Sequence, residues 1–205
     1  MSEPRVFLVD DEPQLRRALE RLLKAEGFAI ESFGSAAEFL GRVTGEDVGC
    51  VVLDVAMPDV DGLELQKRLA AHAACLSIVF LTGHGDIPMS VKAMRGGAWD
   101  FLTKPVKGDE LVTAVRAALE RAQARDAVRQ AAAGLRARCA QLTEREREVF
   151  EHVIAGRLNK IIADRLGISE QTIKVHRARV MEKLGVDSVA ELVRAAQLLD
   201  VTPAP

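Results

Sequence analysis

Three aspartates carry the first chemical signal. Asp10 and Asp11 follow an apolar run, Val6-Phe7-Leu8-Val9, and Asp54 closes another, residues 48–53. Thr82 follows a third run, residues 78–81, and Lys104 lies just beyond a fourth, residues 98–102. If these runs are strands of one parallel sheet, the polar groups meet beyond its carboxyl edge, where ligands bind in such sheets. Clustered carboxylates resist ionisation because they repel one another. A hard divalent cation relieves that repulsion, and Mg²⁺ prefers carboxylates, carbonyls and water. Carboxylates, a metal, a hydroxyl and an ammonium are what phosphoryl transfer onto a carboxylate needs. The metal and the two donors neutralise charge on the phosphoryl oxygens while Asp54 attacks in line.

The elements that must hold these residues alternate. Short apolar runs at residues 5–9, 29–33, 48–53, 78–81 and 98–102 are separated by segments with helical spacing at 14–26, 62–71 and 88–95. Ser35-Ala-Ala-Glu38 has the form of a capping box. Five strands alternating with helices predict an α/β doubly wound five-stranded parallel sheet. From Lys107 a helix pattern continues through Leu111, Val115 and Leu119 and fades into Ala-rich sequence, with Gly134 as its soft point. The last third is different. A second box, Thr143-Glu-Arg-Glu146, opens four helical patterns at about residues 144–155, 159–166, 170–184 and 188–199, punctuated by Gly156, Gly167 and Gly185. The reading is therefore a domain over 1–122, a helical linker over 123–140 and a small all-α helix-turn-helix domain over 141–205.

Composition narrows the partners. The 205 residues carry a net charge of -2, but residues 1–120 hold 13 Lys and Arg against 19 Asp and Glu, and residues 121–205 hold 15 against 11. The basic rear portion is the candidate for nucleic acid. Three widely spaced cysteines, Cys50, Cys75 and Cys139, fit neither a disulfide framework nor a zinc site. No apolar run reaches 18 residues, and the first run is too short for a signal peptide. A soluble, cytoplasmic protein with no membrane partner is expected.

In the rear portion, Gly167-Ile168-Ser169 forms a tight turn between two helices, with Ser169 as N-cap of the second. This is the form of a helix-turn-helix, whose second helix enters the major groove of double-stranded DNA. Ile173, Val180 and Leu184 share one face and should pack inward. Lys174, Val175, Ala178 and Glu182 should face the groove, with Lys174 reading base acceptors and Val175 and Ala178 touching thymine methyls. Thr172, Arg177, Arg179 and Lys160 are placed for phosphates, which give affinity without sequence choice. His176 reads as a packing residue. Ile161 either lies exposed or enlarges a contact surface.

Val9-Asp10-Asp11-Glu12, Leu53-Asp54-Val55-Ala56-Met57-Pro58, Asp61-Gly62, Leu81-Thr82-Gly83 and Thr103-Lys104-Pro105 resemble the receiver signature of two-component response regulators. His84-Gly85-Asp86-Ile87-Pro88-Met89 further resembles the FixJ branch. The segment from Leu142 to Leu192, with Asn159-Lys160, Ile162-Ala163 and Thr172-Ile173-Lys174-Val175-His176-Arg177, resembles the LuxR-type DNA-binding domain. Together they imply a response regulator of the FixJ/NarL family, and the receiver resemblance implies the flavodoxin-like form of the sheet. The resemblance makes Asp54 the phosphoacceptor. Asp11, Asp54 and the main-chain oxygen of Ala56 become Mg²⁺ ligands, with Asp10 acting largely through water. It pairs Lys104 with the phosphoryl group beside a cis bond before Pro105, and makes Thr82 and Phe101 the switch. Where many relatives have Tyr, Phe101 lacks a hydroxyl and any hydrogen bond it would make. His84 either influences water access to the phosphate or is an exposed loop residue. The small Ala56 side chain leaves attacking water unobstructed, so no special protection of the phosphoryl group is expected.

The implied mechanism begins with a sensor histidine kinase that phosphorylates Asp54. Homodimerisation through the receiver follows, and paired recognition helices then control the transcription machinery. The last helix, with Ala190, Leu192, Val193 and Ala196, either adds dimer contacts or simply closes the small core. The chain is not expected to be a dedicated enzyme. An aspartyl-phosphate hydrolase would normally carry an acid/base Asp two residues beyond the nucleophile, where this chain has Ala56. A DNA-binding module with a merely structural acidic pocket is disfavoured by the intact Asp, Thr and Lys set.

Overall fold

The computed structural model describes residues 4–58, 60–71, 75–83 and 87–204, with only the backbone of Ala71 and Ile87. The chain divides into two compact units, Met1–Ala127 and Val128–Pro205.

In the first unit β1 (Arg5–Val9), β2 (Ile30–Phe33), β3 (Val48–Asp54), β4 (Cys75–Thr82) and β5 (Asp100–Thr103) form one sheet in the order β2-β1-β3-β4-β5. Every pairing is parallel. Its helices are α1 (Pro13–Ala25), α2 (Ala36–Arg42), α3 (Gly62–Ala71), α4 (Ile87–Arg95) and the start of α5 (Gly108–Cys139). β3 and β4 are buried along their whole length, as strands covered on both faces must be. On one face Phe7, Val9, Val51, Leu53, Ile78 and Phe80 pack with Phe39 of α2, Leu65 and Leu69 of α3 and Ala93 of α4. On the other, Val6, Leu8, Cys50, Val52, Val79 and Leu81 meet Leu19 and Leu23 of α1 and Leu111, Val115 and Ala118 of α5.

Three local differences from the sequence reading have physical reasons. β4 starts at Cys75, three residues before the predicted 78, because Ser77 interrupts the apolar run yet lies buried on the sheet. β5 starts at Asp100 because Ala98 is used to leave α4: its N–H bonds back to the Ala93 carbonyl past Gly97 at φ +93°. At α2 the box is half-formed. The Glu38 N–H donates to the Ser35 hydroxyl, but the Glu38 carboxylate accepts from the N–H of Gly34 instead of Ser35.

α5 is a single helix of 32 residues that continues through Gly134 to Cys139. In the second unit its final turns join α6 (Glu144–Ile154), α7 (Asn159–Leu166), α8 (Glu170–Leu184) and α9 (Val189–Leu198) around one core. Leu135, Leu142, Val149, Phe150, Ile162, Ile173, Val180, Leu184 and Leu192 fill it. Ser169 caps α8 through the N–H of Thr172, and Gly167 and Gly185 take the left-handed conformation at the ends of α7 and α8. Among the described residues no helix is long and apolar enough to cross a membrane.

Candidate functional site

Strand register assembles the acidic pocket. Val9 of β1 lies opposite Leu53 of β3, so the next residues, Asp10 and Asp54, are neighbours at the switch point of the sheet. Asp54 lies opposite Leu81, and Thr82 opposite Thr103, which brings Lys104 to the same edge. Short backbone bonds hold that edge: the N–H of Val55 donates to the Leu81 carbonyl at 3.0 Å and that of Lys104 to the Thr82 carbonyl at 2.7 Å. The peptide between Lys104 and Pro105 is cis. Behind Asp54, the N–H of Gly62 donates to the Val55 carbonyl at 3.1 Å, and a Cβ at this position would stand 2.7 Å from the Asp54 carbonyl. Only glycine lets α3 start that close to the end of β3.

The Lys104 ammonium sits at the centre. Its Nζ lies 3.0 Å from Asp10 Oδ2, 3.0 Å from Asp54 Oδ2 and 3.2 Å from Glu12 Oε1. Asp10 is fully buried and Asp54 only 4% exposed. Burial pushes the Asp10 carboxyl above the usual aspartate range, and the bonds from Lys104 and the Glu12 N–H offset this only in part. Burial weakens the hold of Lys104 on its proton, but its hydrogen bonds to Asp10 and Asp54 outweigh that and hold the proton more firmly than on an ordinary lysine. Oxygens of Asp10, Glu12 and Asp54 lie within 4.8 Å of one another. Three hard oxygen donors, two of them buried, suit Mg²⁺, and the cation bridging them shows that positive charge is stable there.

Of the predicted pocket residues, Asp10 and Asp54 both bond to Lys104. Thr82 is buried at the same edge, Ala56 is exposed, and the Ala56 N–H lies 3.3 Å from Asp54 Oδ1. Asp11 is half-buried and is not one of the three converging carboxylates; Glu12 is. The sequence reading quoted Glu12 within its motif and gave it no role. The Phe101 ring is half-buried with its centroid 6.2 Å from that of Phe80. His84 lies outside the described residues.

In the second unit α8 presents its two faces as the periodicity predicts. Ile173, Val180 and Leu184 are buried, and Lys174, Val175, Ala178, Arg179 and Glu182 are exposed, as is Lys160 on α7. Thr172 is half-buried, its hydroxyl 2.8 Å from that of Ser169. Arg177 is half-buried and donates to Asn159 Oδ1 at 3.1 Å, tying α8 to the start of α7. His176 is half-buried, and its Nδ1 has no partner among the described residues. Ile161 is 44% exposed.

Glu146, which the sequence reading placed in a capping box, and Lys183, to which it gave no structural role, together aim this helix. Glu146 completes a reciprocal capping box with Thr143, and its carboxylate also accepts from Lys183 Nζ at 2.6 Å. The same Nζ donates to the Gln141 carbonyl at 3.1 Å. The Lys183 bond, with help from the Thr143 N–H, holds the Glu146 carboxyl down at about 2. The end of α8 is thereby fixed to the start of α6. The Thr-x-x-Glu spacing was the available signal; Lys183, 37 residues away, gave none.

The family described as "Response regulator receiver domain" matches residues 6–116, and that described as "Bacterial regulatory proteins, luxR family" matches residues 140–196. The "Transcriptional regulatory protein FixJ" of Azorhizobium caulinodans is 44% identical over 199 residues, covering 97% of this chain and 94% of that protein. "Nodulation protein W" of Bradyrhizobium diazoefficiens is 41% identical, covering 96% and 87%. Among solved structures, the response regulator StyR has a TM-score of 0.84 at 43% identity, covering 96% of this chain and 99% of that one. Full-length FixJ from B. japonicum has a TM-score of 0.58 at 41% identity, covering 98% of each. The chain belongs to the two-component response regulators of the FixJ/NarL family, which join a receiver domain to a LuxR-type helix-turn-helix. It is a DNA-binding response regulator of the FixJ type.

Proposed function

We propose that Asp54 accepts a phosphoryl group from a partner sensor histidine kinase and that this promotes receiver dimerisation and control of transcription. The observation that carries the reading is the Lys104 ammonium, held 3.0 Å from both Asp10 and Asp54 beside the acceptor oxygen. In the transfer an Asp54 oxygen attacks phosphorus, the kinase's phosphorus–nitrogen bond breaks, and the phosphoryl group becomes an acyl phosphate on Asp54. Lys104 then turns from the carboxylates to the new phosphoryl oxygens. Asp10 and Asp54, with Asp11 and the Ala56 carbonyl as the resemblance assigns them, would hold Mg²⁺, which would neutralise charge on those oxygens. The chemistry of the chain extends no further than accepting this group and losing it to water. It is not a dedicated enzyme.

Thr82 and Phe101 transmit the change. The hydroxyl moves toward the phosphate and the ring turns into the vacated space, reshaping the face of α4 and β5. Two receivers pair through that face, and two copies of α8 then reach two half-sites on double-stranded DNA, where the second contact adds avidity. Recruitment or exclusion of the transcription machinery follows from the site occupied. The test is labelling by a small phosphodonor with Mg²⁺, followed by sedimentation. The parent chain should take up label and shift to a dimer, and Asp54→Asn should do neither. Equal labelling of the two proteins would refute Asp54 as acceptor, and a labelled protein that stays monomeric would refute the dimer step.

A further inference from the structure

We propose that the receiver carries a second ligand site, for a small aliphatic carboxylate, in a cavity between α3, α4, β4 and α5. The cavity has a volume of about 460 Å³, within the range of small-molecule sites. It is lined by residues that begin β4 and end α3 and α4, whereas the acidic pocket gathers the carboxyl ends of the strands. The buried side chains of Leu69, Leu76 and Ile78 give it one aliphatic wall.

Two exposed arginines, Arg121 and Arg125, stand one turn apart on α5, and both residues line its rim. Neither has a carboxylate partner among the described residues. Arg121 stacks on the Trp99 ring at 5.0 Å, and Arg125 makes one long bond, 3.4 Å, to the Leu76 carbonyl. Like charges at this spacing destabilise a helix, and an anion between them would reverse the sign. The planar guanidinium fork matches a carboxylate, and the apolar wall matches an alkyl tail. Gln66 is the buried polar residue of the lining. Its Nε2 donates to the Ala93 carbonyl at 2.9 Å, which joins α3 to α4. Gly96 keeps that amide in place: a Cβ there would lie 2.6 Å from Gln66 Oε1.

Trp99 is the single tryptophan of the chain, so its emission reports on Arg121 directly. The experiment titrates the full chain with sodium hexanoate at constant ionic strength, beside 1-hexanol and inorganic phosphate. The proposal expects a saturable change with hexanoate, and binding about tenfold or more weaker for the alcohol, which lacks the charge, and for phosphate, which lacks the tail. Arg125→Gln should weaken hexanoate by a similar factor, and Ala70→Leu, which narrows the cavity from its exposed side, should also weaken it. No saturable response overturns the proposal, as does equal binding by the alcohol, equal binding by phosphate, or an unchanged titration of Arg125→Gln and Ala70→Leu.

Discussion

At the scale of single residues, the economy of the acidic pocket rests on Lys104. One ammonium serves three carboxylates, two of them buried. Removing one partner of a buried ionic set costs more than the set contributes, because the remaining charges are left uncompensated. Lys104→Ala should therefore lower receiver stability by roughly 3 kcal/mol without divalent cation, and millimolar Mg²⁺ should restore much of that loss. Urea unfolding followed by Trp99 emission, with and without Mg²⁺, checks both parts. Asp10, Asp54 and Lys104 were legible in the sequence because each follows an apolar run and the register of a parallel sheet leaves little freedom. Glu12 was not, since its approach depends on where Lys104 comes to rest. The bond between Arg177 and Asn159 was hidden for the same reason: helical periodicity gives a direction, not a partner.

At the scale of elements, the start of α6 has a pH dependence of calculable sign. The folded Glu146 carboxyl titrates at about 2, below its ordinary 4.5. As pH falls the unfolded chain takes up the proton first. The stabilisation is complete above about pH 4.5 and is lost as pH falls toward 2. Glu146→Gln should cost the helical unit on the order of 2–3 kcal/mol at pH 7, with the gap from the parent closing near pH 2. Hydrogen exchange of the α6 and α8 amides across that range measures it. Along α5, Gly134 is a separate case. The helix passes through it, and a Cβ there would meet nothing within 4 Å. Gly134→Ala should stabilise the helix by about 0.5–1 kcal/mol, read as slower exchange of the neighbouring amides. The sequence placed a soft point here from glycine's propensity alone; flanking Ala, Arg and Leu carry the helix across. Elements with a strong period, such as α8, were read to the residue, whereas β4 begins earlier because Ser77 broke the apolar signal and β5 begins later because the apolar Ala98 serves the turn that leaves α4.

At the scale of the whole molecule, the charge division of the sequence follows the two domains: an acidic receiver and a basic DNA-binding unit. Lys174 is the exposed cation on the predicted reading face of α8. Lys174→Ala should weaken binding to a specific site by about 1–3 kcal/mol and change non-specific binding much less. Titrations against a selected site and against random duplex at one salt concentration separate the two. Equal losses would move Lys174 to the sugar-phosphate backbone.

The bond between Glu146 and Lys183 makes the solidity of the small unit and the aim of its reading helix one property. The anchor holds the end of α8 remote from the residues predicted to read bases, like the fixed end of a tuning fork. A weakened anchor would blur recognition of every operator alike, and no change of base sequence would compensate for it. A substitution meant to change base preference therefore belongs on the exposed face of α8, and one that touches Glu146 or Lys183 alone should loosen the unit instead.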